Sequence, residues 1–106
     1  MKRFGSVVRL RPEKEAEYRQ LHAEVWPQVL DRITRSNIRN FTIFLRDGLL
    51  FSYLEYVGSD YDADMEAIAQ DPHTREWWAL TDLCQERMAT SPDSQWAPME
   101  QVFHHD

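Results

Sequence analysis

Cysteine is all but missing from this chain. Cys84 stands alone, so no intramolecular disulfide can form, and a reducing cytoplasm is the expected compartment. Glycine is scarce as well. Gly5, Gly48 and Gly58 are too far apart to make a phosphate-cradling loop. No apolar run approaches the ~20 residues of a membrane-spanning helix. The opening M-K-R-F-G-S-V-V-R-L-R contains no long apolar stretch, so no signal peptide is expected. Basic residues are outnumbered: 12 Lys and Arg face 18 Asp and Glu, a formal net charge of −6. That balance argues against a phosphate backbone or an anionic membrane surface as partner, and leaves a neutral ligand unaffected. The four histidines, at 22, 73, 104 and 105, have no metal-site spacing, and no C-x-x-C or H-x-x-x-H occurs. No metal is expected.

What remains is rich in aromatics. Four Trp, four Tyr and five Phe sit in 106 residues. The length predicts one domain over residues 1–106, hiding roughly 60–70% of the surface its unfolded chain exposes. Such a core is adequate but not large, and domains of this size often dimerise.

The pattern reads as alternating strands and helices. Phe4–Leu10 predicts a strand with Phe4, Val8 and Leu10 on one face. Pro12 suits a first helical turn, and Glu13, Glu15 and Glu17 suit a helix N-terminus. The helix that follows carries an apolar line at Leu21, Val25, Val29 and Ile33, and Pro27 should bend or break it. Ile38–Leu45 and Leu49–Val57 predict strands joined by an Asp47-Gly48 hairpin turn. Gly58-Ser59-Asp60 is a break and cap before a helix at 61–69. Asp71-Pro72 starts another, expected to run to about Met88. Met99–Phe103 predicts a last strand. The order β-α-β-β-α-β is the ferredoxin-like α+β pattern, with helices on one face of an antiparallel sheet. The bare face would be covered if two copies pressed sheet to sheet.

One stretch, Y-R-Q-L-H-A-E-V-W-P, concentrates candidate chemistry. Tyr18, His22 and Trp26 are spaced i, i+4, i+8 and would form one narrow stripe on a helix. An imidazole titrates near neutrality, so His22 is the candidate acid or base. Trp77-Trp78 is the second concentration. Adjacent helical residues lie ~100° apart, so one can anchor the core while the other lines a cavity or interface. The bland alternative is that both groups are ordinary core. Cys84 reads as a buried structural thiol, and Asp82 as a surface carboxylate that could fall near the site.

Taken together, Tyr18-x-x-x-His22-x-x-x-Trp26-Pro27, Asn40-Phe41-Thr42-Ile43, Trp77-Trp78 with Thr81-Asp82, and Ser91-Pro92-Asp93 before Glu100-Gln101-Val102-Phe103 resemble the L-rhamnose mutarotase family over essentially the whole chain. The resemblance implies a homodimeric α+β barrel that interconverts the α and β anomers of a monosaccharide without metal or cofactor. It implies His22 as proton donor, and Tyr18, Phe41, Trp77 and Trp78 as substrate contacts. Phe41 stands where the family often has a tyrosine, which opens the choice of sugar to L-fucose or another related aldose. Two other readings stay open: a small monooxygenase of the same barrel shape, and a non-catalytic sugar-binding protein.

Overall fold

The computed structural model describes residues 1–106. Five strands form one antiparallel sheet: β1 (Lys2–Leu10), β2 (Ile38–Arg46), β3 (Leu49–Tyr56), β4 (Gln85–Glu86) and β5 (Ala97–Met99). Four α-helices accompany it: α1 (Glu15–Ala23), α2 (Pro27–Arg35), α3 (Tyr61–Gln70) and α4 (Pro72–Asp82). A short 3-10 turn at Pro12–Lys14 leads into α1. The sheet runs β2-β3-β1-β4, with β5 also on the outer edge of β1. This is the ferredoxin-like strand order, its fourth place shared by two short strands.

Local chemistry explains most boundaries. Asp47 and Gly48 take φ of 53° and 73°, the left-handed pair that a type I′ hairpin requires. The Asp60 and Asp71 carboxylates accept from the backbone N–H groups of Ala63 and Thr74, capping α3 and α4. Pro27 opens α2 because its missing N–H costs nothing in a first turn. The residue before a proline is driven out of the helical region, and Trp26 takes φ −60° and ψ 133°. The predicted bend is therefore a full break, and the apolar line at Leu21, Val25, Val29 and Ile33 is divided between two helices.

Two predicted elements differ. The last helix ends at Asp82 rather than near Met88, because β1 claims the following residues. Arg11 N–H donates to the Cys84 carbonyl at 2.8 Å, and Leu10 pairs with Gln85. The final strand is Ala97–Met99, three residues against Gly5–Val7, and residues 100–106 have no regular structure. Val102 and Phe103 there are exposed, so their alternation reflects no buried face.

The two sheet faces differ sharply. Val8, Leu10 and Leu50 join Tyr18 of α1 and Cys84 in the core beneath the helices. Opposite them, Val7 pairs with Phe51 and Phe44 with Phe51 on a face that no helix covers. Phe44 there is 63% exposed.

Candidate active site

Helix α1 places Tyr18 and His22 one turn apart on its sheet-facing side. Tyr18 is 5% exposed. His22 is half-buried and lies over it, ring centroids 4.1 Å apart and planes tilted by 30°. Trp77, from α4, meets the other side of the imidazole edge-on at 5.3 Å. Trp26 meets Trp77 in turn at 5.3 Å. The result is a ladder of four rings, Tyr18–His22–Trp77–Trp26, drawn from α1, the break before α2, and α4. Trp26 joins it through Trp77 and not as a third residue of one helical stripe, since α1 has ended by then.

The imidazole has a defined tautomer. Its Nδ1 lies 2.9 Å from the Tyr18 carbonyl oxygen. A carbonyl can only accept, so Nδ1 carries the hydrogen and Nε2 is left for other chemistry. The carbonyl accepts that hydrogen in either protonation state, so ring orientation does not depend on the proton at Nε2.

Tyr18 is equally constrained. Burial pushes its phenol up to about 12; the nearby Cys84 and Asp82 push the same way, and a hydrogen bond from Gln85 works against them. The phenol therefore stays protonated across the neutral range. Gln85 Nε2 donates to the Tyr18 oxygen at 3.3 Å, and Gln95 Nε2 donates to Gln85 Oε1 at 3.0 Å. Sequence reading missed both glutamines. Gln85 is 67 positions from Tyr18, and only the β1–β4 register brings it there. Asp82, at the end of α4, also has its carboxyl raised by burial. Burial likewise raises the Cys84 thiol, as does the neighbouring Glu17 carboxylate.

The remaining candidates sit differently. Trp78 is 41% exposed and joins none of the ring contacts. Phe41 lies in a β-bulge of β2: Asn40 and Phe41 together oppose Leu54, between the Arg39–Glu55 and Thr42–Tyr53 pairs. Asn40 takes φ 51° and its amide reaches Glu55 on the uncovered face. Alternation then turns Phe41 to the helix side, the side of His22, where it remains 44% exposed. Two surface depressions lie elsewhere and contain no part of the ladder. One, of about 410 Å³, is lined by charged residues of α2 with Asp71 and His73. The other, of about 520 Å³, lies beneath the C-terminal segment.

Fold and site define an α+β protein whose single curled sheet carries a half-buried histidine between aromatic faces. Comparison with known proteins is specific. The model of the L-rhamnose mutarotase family matches residues 3–105. An L-rhamnose mutarotase of Jannaschia sp. (strain CCS1) is 31% identical, the alignment covering 98% of both chains. One from Mannheimia succiniciproducens is 32% identical over the whole of both. The crystal structure of an L-rhamnose mutarotase from Formosa agariphila superposes over all of both chains with a TM-score of 0.79 at 17% identity. Tetracenomycin F2 cyclase from Streptomyces glaucescens, a polyketide cyclase, superposes with a TM-score of 0.72 at 14% identity. The two neighbours share the dimeric α+β barrel fold, of which this sheet is one half. The chain belongs to the L-rhamnose mutarotase family, isomerases that interconvert sugar anomers.

Proposed function

We propose that this protein accelerates exchange between the α and β anomers of L-rhamnose, with His22 as the proton-transfer group. The observation that carries the reading is the half-buried imidazole whose Nδ1 is tied to the Tyr18 carbonyl and whose Nε2 is free. Mutarotation needs only proton movements. The anomeric O1–H loses its proton as the C1–O1 bond gains double-bond character. The C1–O5 bond breaks and the ring oxygen O5 takes up a proton. Closure onto the other face of C1 reverses both transfers. O1 and O5 are both bonded to C1, so one nitrogen can serve both. Neutral His22 accepts from O1–H through Nε2, directly or through water, and the imidazolium then donates to O5. A positioned group of this kind contributes ~10²–10⁴-fold.

Tyr18 donates to a sugar oxygen, and the tryptophans pack on the apolar sugar face. Phe41 supplies contact without a hydroxyl. Relative to a tyrosine this removes one polar contact, worth ~1 kcal/mol or more if a sugar hydroxyl is left unpaired. L-Fucose and related aldoses are therefore tested beside L-rhamnose.

The uncovered sheet face, with Phe44 and Phe51 on it, supports a homodimer closed sheet to sheet. A lone reduced cysteine and a free sugar as substrate support a cytoplasmic location. The deciding experiment is saturation-transfer NMR of anomer exchange across L-rhamnose, L-fucose and a few related aldoses. Acceleration of at least one of them over the buffer rate is expected. No acceleration of any would refute the reading.

A further inference from the structure

We propose that Arg87, Gln95 and Gln85 form a one-way hydrogen-bond chain that fixes which way the Tyr18 hydroxyl points, so that its proton is always offered to the substrate. These three are positioning residues, and the inference rests on Tyr18 contacting the sugar.

The direction of the chain follows from donor chemistry. The Arg87 guanidinium can only donate. Its Nε lies 3.2 Å from Gln95 Oε1, and its Nη1 donates to the Pro92 carbonyl at 2.6 Å, which holds the side chain in place. Gln95 must therefore turn its oxygen to Arg87 and its NH₂ to Gln85. Gln85 must then present Oε1 to Gln95, at 3.0 Å, and its own NH₂ to Tyr18, at 3.3 Å. The phenol oxygen is thus obliged to accept from Gln85. Its hydrogen is left pointing away from the amide. Gln85 is 4% exposed, so water is not there to scramble the order. A phenol pushed up to about 12 keeps the hydrogen it is being made to offer. Without the arginine at the head, either amide could flip, and Tyr18 would spend part of its time donating to Gln85.

The three residues come from one place in the fold. β4 and β5 both pair with β1, and Arg87 to Trp96 is the loop between them. The loop's role would then be to carry polarity inward from a surface cation.

Gln95→Glu tests this without touching the site. A carboxylate at 95 pairs with Arg87 but can only accept, so Gln85 must flip and present its oxygen to Tyr18, which then donates to it. The variant should keep the wild-type melting temperature or exceed it, yet lose about tenfold or more in kcat/KM for anomer exchange. Gln95→Leu, which removes the anchor without reversing it, should lose less. A purely structural role predicts the opposite ranking. Gln95→Glu with wild-type kcat/KM overturns the proposal.

Side-chain amide NMR separates this from the functional reading. In the wild type, Tyr18→Phe should shift the Gln85 NH₂ resonances; in the Gln95→Glu background it should not. If the wild type exchanges no sugar but these shifts appear, the reading of the site fails while the directed chain survives. If Tyr18→Phe leaves the Gln85 amide unmoved, the chain itself is refuted.

Discussion

His22 donates from Nδ1 to the backbone carbonyl of Tyr18, the residue whose ring it also covers. One residue therefore supports the imidazole twice, with its main chain and with its side chain. The expected consequence is a sharp sensitivity at position 22. His22→Asn and His22→Ala should fold normally and reduce enzyme-catalysed anomer exchange by ~10²–10⁴-fold. Rates near wild type in saturation-transfer NMR would remove His22 from the proposed role.

Tyr18→Phe separates two contributions. Gln85 loses its acceptor in a buried position, which costs about 1–3 kcal/mol of stability in a denaturant titration. The proposed sugar contact loses its proton, so kcat/KM should fall even at temperatures where the variant is fully folded.

The same residue predicts an alkaline effect. The folded phenol is raised from 10.0 to about 12, so the unfolded chain ionises first. The stability this phenol contributes is fully present below pH 10 and is lost as pH rises toward 12. Two pH units correspond to roughly 3 kcal/mol. Wild type should therefore lose stability more steeply than Tyr18→Phe over that interval, measured by denaturant unfolding at stepped pH. Parallel curves would show that burial of this phenol has no such linkage.

The adjacent tryptophans should behave differently. Trp77 is 6% exposed and touches both His22 and Trp26, so Trp77→Ala should cost about 3–5 kcal/mol. Trp78 is 41% exposed, and Trp78→Ala should leave the melting temperature nearly unchanged. If Trp78 contacts the sugar, its loss should appear as a raised KM. Equal destabilisation by the two substitutions would contradict the packing described.

Phe44→Glu tests the proposed dimer. It places a charge on the uncovered sheet face at a site already 63% exposed in the monomer. The expected outcome is a shift to monomer in sedimentation velocity with the helical signal retained. An unchanged sedimentation coefficient would place the interface elsewhere.

Much of this architecture was legible in linear order. The Asp47-Gly48 hairpin, the Asp71-Pro72 helix start and the strand at Ile38 each depend on a few adjacent residues, and the structure has all three. Tyr18 and His22 are one helical turn apart, so their contact was implied by spacing. The ends of the last helix and last strand were not legible. They are set by pairing with β1, many positions away, which overrides local preference.

Chemistry divides along the same line. Residue types and short spacings alone determined a candidate acid–base group, two aromatic concentrations and the absence of a disulfide. Only the tertiary structure decided that Trp77 closes over His22, that Trp78 stays at the surface, and that two distant glutamines reach Tyr18. The physical reason is that hydrogen-bond direction and ring packing depend on distances between elements, and sequence spacing determines distances only within one.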